Sequence, residues 1–400
     1  MSETLVEPAP AAPATPSRRR PRNWWALGGT VLLLVVLVLL PVLVGTDGVA
    51  YLKLAQYVLI GAVGGIGLTL LVGQAGQLSL AHPFFLLVGA VTYAVLSGDA
   101  EDGLVGFALP PLVGLVGAVL VSGLFGLAFA PVAGRLRGIY LGVASLSLVF
   151  LGLWLGQSLE MLTGGTSSGR TPPTFELFGL AFANSQPAPT IMGVAIQKQQ
   201  RLWYLFLVLA VIAYLLAQGA VRSRIGRAWR AVRDNEAAAT AMGVNVTRAK
   251  AGAFVVSSAY AGLAGVMTAL WFDLVKPDEN EFTGNYSLTV AIAFLAIVII
   301  GGVGSVPGAV FGAVMVYGLQ QFFLLGANQF GWFAGAEFGG LNAVVLSAFI
   351  YGAAVVVVVL FEPGGAAAIG RRIVNRRGPS ASSAASGGST PERNDDDPGA

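Results

Sequence analysis

Long apolar runs alternate with short polar connectors along this chain, and ten of the runs are close to bilayer length. An α-helix of about 20 residues crosses a hydrocarbon core of about 30 Å. The pattern therefore predicts an all-α fold, a polytopic transmembrane helical bundle of about ten spans. The predicted spans lie at 24–45, 49–72, 83–98, 107–131, 139–160, 201–219, 250–272, 286–303, 306–326 and 342–361.

Charged residues divide the connectors into two alternating sets. Arginines cluster at 18–22, at 135–137, along 220–249 and at 371–377, whereas the connectors near 99–102 and 278–281 are acidic. Lys and Arg in short loops mark the cytoplasmic side of a membrane protein. This alternation predicts an even number of spans with both termini in the cytoplasm.

Composition excludes most soluble classes. The 400 residues are 55% hydrophobic and 11% charged, with a mean hydropathy of +0.75, whereas soluble domains carry about a quarter charged residues. The 54 glycines suit helices that approach closely in lipid. With no cysteine and one histidine, neither a thiolate site nor a zinc site is expected. The net charge is +3, and the arginines lie mainly beside apolar runs. This placement indicates membrane topology and a lipid bilayer as partner, and it does not indicate a nucleic acid.

Three regions follow from these patterns. Residues 1–22 and 366–400 are tails on the cytoplasmic side, and their Pro, Ser, Gly and charge content predicts disorder in 1–16 and 378–400. Residues 23–365 form the transmembrane domain. Within it, 161–200 is an external loop and 220–249 is a cytoplasmic loop.

The cytoplasmic loop contains a predicted amphipathic helix of about four turns. It runs from Arg227 to Met242 and ends at Gly243, because glycine is favoured just past a helix C-terminus. Arg230 and Asp234 are spaced for an i,i+4 ion pair. Such a helix either lies on lipid headgroups or docks in a partner's groove, and the three alanines 237–239 favour a partner. Its mostly apolar stripe comprises Trp229, Val232, Glu236, Ala239 and Met242.

Six ordered blocks carry a family resemblance that covers roughly 26–365. They are GQAGQLSLAHPFF at 73–85, RLRGIYLGVASLSL at 135–148, TGGTSSG at 163–169, GRAWRAVRDNEAAATAMGVNVTRAK and the helix after it at 226–270, GGVGSVPGAVFGA at 301–313, and FEPGG at 361–365. Together they resemble LivM-type permease subunits of branched-chain amino acid ABC transporters.

The resemblance implies that 227–243 is a coupling helix seated in a cleft of a cytoplasmic ATPase. Importers of this kind carry EAA, three residues and then Gly, but four residues separate Glu236-Ala237-Ala238 from Gly243 here. In register with that glycine, the triplet is Ala237-Ala238-Ala239. The candidate coupling residues are Arg227, Trp229, Arg230, Val232, Arg233, Glu236, Ala237, Ala238, Ala239, Met242 and Gly243.

Polar residues between two apolar runs are candidates for the solute path. Gln74, Gln77, Ser79 and His82 lie in a glycine-punctuated break, and broken helices expose backbone dipoles to substrates in transporters. A short cytoplasmic turn is the alternative. Ser145 and Ser147 either face the path or bond their own helix backbone.

No G-x-x-x-x-G-K-[ST] motif occurs, so we expect no bound cofactor and no ATP hydrolysis by this chain. The resemblance implies a multi-pass permease of the prokaryotic inner membrane, paired with a paralogous LivH-like permease, two cytoplasmic ATPases that use ATP, and an external solute-binding protein. It implies leucine, isoleucine or valine as solute, with urea or short amides as the alternative. A secondary transporter and an intramembrane enzyme are disfavoured, because acidic residues, nucleophile-base pairs and metal ligands are scarce at membrane depth.

Overall fold

The computed structural model describes residues 35–44, 48–100, 103–136, 138–177, 180–182, 190–191, 194–195, 197–278 and 286–329, with isolated positions between 349 and 360. Helix α1 up to Leu43 belongs to a first compact unit, and the elements after α1 belong to a second unit that begins at Val44. The helices are α1 (Val35–Val44), α2 (Val49–Leu68, continued by a π-helical turn, Thr69–Gln74), α3 (His82–Ser97), α4 (Pro111–Arg135), α5 (Ile139–Ser158), α6 (Glu160–Thr163), α7 (Lys198–Arg222), α8 (Arg224–Asp234), α9 (Glu236–Ala241), α10 (Val246–Phe272), α11 (Leu288–Gly301), α12 (Val306–Ala313, continued by a second π-helical turn, Val314–Gly318) and α13 (Leu319–Gln329).

The helices confirm the all-α class and a multi-pass membrane protein. Three shorter apolar helices, α1, α3 and α11, lie at further predicted positions. The predicted span 342–361 and both tails lie outside the described ranges, apart from a few positions. Within the described ranges, six helices are long and apolar enough to cross a membrane: Val49–Gln74, Pro111–Arg135, Ile139–Ser158, Lys198–Arg222, Val246–Phe272 and Val306–Gly326.

Helix α10 is the centre of the second unit, where it packs against α2, α3, α4 and α7. Small residues make this possible, because they let helix backbones approach closely. A Cβ atom on Gly89 of α3 would lie 2.3 Å from the carbonyl oxygen of Gly262 in α10. Within α2, Gly64 lies against the Phe294 ring of α11, and Gly61 lies against Tyr317.

Contacts between connectors sort them into two ends of the unit. At one end Lys198 forms an ion pair with Asp273, and Arg170 pairs with Val275 through their backbones. At the other end, the π-helical turn that continues α2 contacts Gly304 and helix α8, and Leu80 after it contacts Ser145 of α5. Connectors that the charge pattern assigns to the same side of the membrane therefore meet at the same end.

The connector 161–200 is folded where it is described. It holds α6 and two antiparallel pairs of two-residue strands, β1 (Glu176–Leu177) with β2 (Leu180–Ala181) and β3 (Thr190–Ile191) with β4 (Val194–Ala195). Thr163 stabilises the turn after α6, where Gly164 and Gly165 adopt positive φ, by accepting a hydrogen bond from the Gly165 N–H.

Arg170 fastens this connector to its neighbours. The side chain is buried, and Nη1 donates to the carbonyl oxygens of Val105 at 2.6 Å and Leu162 at 3.4 Å, while Nη2 donates to Asp99 O at 3.4 Å. Burial lowers the pKa of its guanidinium, yet arginine stays charged at neutral pH. One guanidinium therefore satisfies three carbonyls from two connectors, since Asp99 and Val105 lie between α3 and α4 and Leu162 lies in α6.

We expect Arg170→Met to destabilise the protein, because it keeps the side-chain stem and removes every donor. Each buried polar group left without a hydrogen bond costs about 1–3 kcal/mol. The measurement is the thermal-aggregation midpoint of detergent-purified protein. Arg248→Met, at an exposed arginine, is the matched control. Equal midpoints for the two variants would contradict this role of Arg170.

Candidate functional site

Three side-chain caps divide the loop between α7 and α10. Ser223 Oγ accepts hydrogen bonds from the N–H groups of Ile225 and Gly226 and begins α8. Asn235 Oδ1 accepts from Ala238 N at 3.0 Å and begins α9, and Asn245 caps α10 in the same way. The prediction of one four-turn helix over 227–242 is therefore wrong. Asn235 breaks it because its backbone is extended there (φ −160°, ψ 111°) and its side chain caps the next helix.

The prediction that the helix ends at Gly243 is confirmed. Gly243 has a φ of +81°, a conformation that favours glycine. Its N–H donates to Thr240 O at 2.9 Å, and the N–H of Val244 donates to Ala239 O at 3.0 Å. These two bonds are the Schellman arrangement, which satisfies the last carbonyls of α9.

Most of the predicted apolar stripe packs against this chain itself. Trp229, Val232 and Ala239 are buried, and Trp229 Nε1 donates to Ala249 O at the start of α10 at 3.0 Å. Met242 does not share this face, since it is 83% exposed. The prediction of a single stripe through Met242 is therefore wrong, because the break at Asn235 changes the helical register.

Glu236 anchors α9 to α10. Its Oε1 lies 2.7 Å from Nζ of Lys250, whose side chain is only 5% exposed, whereas Glu236 is 29% exposed. A charge as buried as Lys250 is costly without a paired charge. Together with the Trp229 hydrogen bond, the ion pair ties both short helices to the central span.

The opposite side of α9 is exposed. Ala237, Ala238, Ala241 and Met242 are all accessible, and we name this surface the α9 outer face. Its side chains are small except for Met242, whose flexible thioether adapts to varied partners. A small apolar surface of this kind permits close docking of another protein.

Three of the four arginines of α8 differ in their contacts. Arg227 is exposed and donates to Arg222 O at 3.4 Å. The predicted Arg230–Asp234 pair is wrong, because Arg230 donates to the carbonyls of Gly226 and Val221 one turn or more back. Asp234 instead accepts two hydrogen bonds from Arg233, at 3.0 and 2.9 Å.

The break between α2 and α3 is buried. Gln74, Gln77, Ser79 and His82 are each at most 4% exposed. Gln74 Nε2 donates to Gly304 O at 2.7 Å, and Ser79 Oγ accepts from Ala81 N at 3.3 Å. These four side chains are therefore enclosed by the helical bundle, although Gly76 between them is exposed.

Three side chains in the break keep polar atoms without a partner among the described residues, and Gln74 Oε1 is one such atom. Neither side-chain polar atom of Gln77 has a hydrogen-bond partner among the described residues, and the same is true of His82 Nε2. The His82 ring lies 5.5 Å from that of Phe294 and is hydrogen-bonded to the backbone of Gly64. Buried unpaired polar groups are rare in native proteins and need an explanation.

The two predicted serines of α5 have different roles. Ser145 is buried, donates to Gly142 O, and accepts from the N–H of Leu80 in the break, both at 2.8 Å. Ser147 is exposed and donates only to Ala144 O, at 2.7 Å. Both serines bond their own helix backbone, but Ser145 also holds the break in place.

A family model described as "Branched-chain amino acid transport system / permease component" matches residues 50–360. That range contains every element described above except α1 and the first residue of α2. The chain belongs to this permease family.

Named relatives agree with the family. The permease is 33% identical over 293 residues to the high-affinity branched-chain amino acid transport system permease protein LivM of Salmonella typhimurium, which covers 71% of this chain and 65% of LivM. It is 28% identical to BraD of Pseudomonas aeruginosa, with 66% of this chain and 81% of BraD covered. It is also 26% identical to LivH of Salmonella typhimurium, with 63% and 77% covered. No solved structure matches the chain.

The matched region spans about two thirds of the two LivM proteins, 65% and 66% of their lengths. These relatives are named as transport permeases, which agrees with the expectation that the chain is not an enzyme. Among the described residues, no group of three or more His, Cys, Asp and Glu could hold a metal ion.

Sequence reasoning missed Asn235, Lys250, Gly73 and Gly304. The signal for Asn235 was present, because Asn followed by Glu is a common helix start. Lys250 stands alone at the beginning of an apolar run, and nothing in its spacing identifies Glu236 as its partner. Gly73 and Gly304 are 231 residues apart, so their contact has no local signal.

Proposed function

We propose that this permease is a translocation subunit of an ATP-driven importer for branched-chain amino acids in the prokaryotic inner membrane. It pairs with a second, LivH-like permease and is driven by two cytoplasmic ATPase subunits, while an external binding protein delivers the solute. The names of the LivM, LivH and BraD relatives support the solute class. Resemblance to both LivM and LivH of one organism supports a paired permease.

The α9 outer face carries the coupling part of the proposal. It is exposed and small, and it lies on a helix that the Glu236–Lys250 pair fastens to the central span. An ATPase that binds this face therefore acts on α10 rather than on a loose loop. The arginines along 220–249 support a cytoplasmic position for it.

The helix break is the proposed solute path at this end. Gln77 supports this role, since a buried amide with no partner in the described chain is suited to a polar solute. The proposed path also includes Gln74, Ser79 and His82, which flank Gln77 in the sequence. Ser145 holds the break in place through its hydrogen bond with Leu80 N. Ser147 is exposed and donates to Ala144 O of its own helix, so it contributes least to this proposal.

We expect Ala238→Glu to abolish ATP-dependent uptake of labelled leucine while leaving the amount of permease in the membrane unchanged. Ala238 is exposed, so glutamate costs little in folding, but it places a bulky charge on the α9 outer face. Uptake by cells that carry the complete transporter is the measurement, with labelled urea tested in parallel. If the complete transporter takes up urea in preference to leucine, the proposed solute class is wrong and urea or a short amide takes its place.

Ala239→Glu is the matched control, because Ala239 is 2% exposed. A buried glutamate without a partner destabilises the fold, so this variant should lower the amount of permease itself. Ala238→Ser should retain uptake, since serine is small and neutral. Normal leucine uptake by Ala238→Glu would overturn the docking role of α9.

A further inference from the structure

The side chain of Arg233 leaves helix α8 and reaches the end of helix α2. Its Nη1 donates to the carbonyl oxygen of Gly73 at 2.6 Å. Gly73 belongs to the π-helical turn Thr69–Gln74, directly before the buried break. The last carbonyls of a helix have no partner within the helix and carry its negative dipole end, so a guanidinium is a favourable partner there.

Asp234 orients this contact. It binds Nε and Nη2 of Arg233 through Oδ1, which leaves Nη1 directed at Gly73. The planar guanidinium can serve both partners at once, whereas the ammonium group of lysine has no such fork. The arrangement therefore specifies arginine rather than a positive charge alone.

The break also lies against the backbone of Arg233. Gly76 has a φ of +69°, and a Cβ atom there would be 2.7 Å from Cγ of Arg233 and 3.4 Å from its Cα. Movement of α8 toward the break is therefore resisted by direct contact, and movement away stretches the Gly73 hydrogen bond.

The far side of the same turn contacts the connector between α11 and α12. A Cβ atom on Gly73 would lie 2.2 Å from Gly304 N, and Gln74 Nε2 donates to Gly304 O. Gly304 itself has a φ of +84°. The end of α2 is thus held between Arg233 on one side and the 302–305 turn on the other.

We propose that Arg233 is a positioning residue that transmits movement of α8 and α9 into the Gly73–Gln77 stretch and so controls access to the break. This inference rests on the proposed function, because it takes an ATPase to move α9. It assigns Arg233 to a contact within the permease, whereas the sequence placed it among residues that touch the ATPase. A π-helical turn is suited to change conformation when α8 moves, since such turns interrupt regular helical hydrogen bonding and recur at functional sites.

The absence of cysteine from the chain makes the test direct. Gln77→Cys introduces one thiol at the buried break, and a thiol reagent added to the complete transporter in proteoliposomes reports its accessibility. We expect the labelling rate of Gln77→Cys to change between resting transporter and transporter hydrolysing ATP. Addition of Arg233→Met should reduce that change by about tenfold, as expected for loss of a charge-assisted hydrogen bond. Arg233→Met alone, with Gln77 intact, should reduce the solute moved per ATP by a similar factor.

Arg224→Met is the matched control, because Arg224 is an exposed arginine at the first position of α8. It should keep the ATP-dependent labelling. Arg233→Lys keeps the charge without the fork and should lose most of the effect, which decides the question if Arg233→Met fails to accumulate. ATP-dependent labelling that is unchanged in both Arg233 variants overturns the inference and leaves the proposed function intact. Labelling that never responds to ATP, even with Arg233 present, overturns the proposed function.

Discussion

Gly265→Val should remove most of the folded permease from the membrane. A Cβ atom on Gly265 would lie 2.0 Å from the carbonyl oxygen of Leu86 and 2.8 Å from its carbon, and both are backbone atoms of α3. No side-chain rotation relieves such a contact, so α3 must move away from α10. Overpacking in a dense core costs about 1–3 kcal/mol and sometimes more, and a displaced backbone belongs at the upper end.

Gly252→Val on the same helix provides the matched control. A Cβ atom on Gly252 meets nothing within 4 Å. Both variants exchange glycine for valine inside α10, so differences in helix propensity cancel between them. The measurements are the amount of permease in purified membranes and its thermal-aggregation midpoint in detergent. Similar values for Gly265→Val and Gly252→Val would show that α3 and α10 are not packed as closely as described.

The apolar pattern predicted the helices well, because bilayer thickness constrains the length of each run. The predicted spans 49–72 and 139–160 agree closely with Val49–Gln74 and Ile139–Ser158. The short helices α3 and α11 were also placed, since their flanking polar residues mark their ends. The apolar pattern does not indicate which helices pack against one another, so it did not predict that α10 is the central helix.

The cytoplasmic loop shows the limit of amphipathic patterns. The stripe that includes Trp229 and Val232 correctly indicated an apolar face, but a sequence does not say what covers such a face. In the structure the covering surface is the permease itself. The candidate docking surface is instead the small, exposed side of α9, where alanines give almost no periodic signal.

The glycines and glutamines before α3 predicted the position of the break. They did not predict whether its side chains are buried. Whether a polar segment between two apolar runs is a surface turn or a buried element depends on what packs over it. Here Arg233 and Gly304 come from positions far along the chain. Only long-range packing decides between the two alternatives, and it places Gln77 in the interior.

The Glu236–Lys250 pair has unequal members, and this inequality makes its role testable. Lys250 is nearly inaccessible, whereas Glu236 is almost a third exposed. Removing the acid leaves a buried cation, and removing the cation leaves a carboxylate that can turn toward water. Glutamate replacement should therefore be more damaging than lysine replacement, although partial exposure keeps the cost below the roughly 3–5 kcal/mol found for fully buried pairs.

We expect Glu236→Ala to lower ATP-dependent uptake and the thermal midpoint more than Lys250→Met does, because only the first variant leaves a buried charge unpaired. Charge reversal at one position, Lys250→Glu, should abolish uptake through repulsion between two carboxylates. The double variant Glu236→Lys with Lys250→Glu should recover part of that loss, since it restores opposite charges at 2.7 Å. If the double variant is no better than the sum of its single changes, the two residues do not interact. In that case the hydrogen bond from Trp229 of α8 to Ala249 O is the polar contact that still fastens this loop to α10.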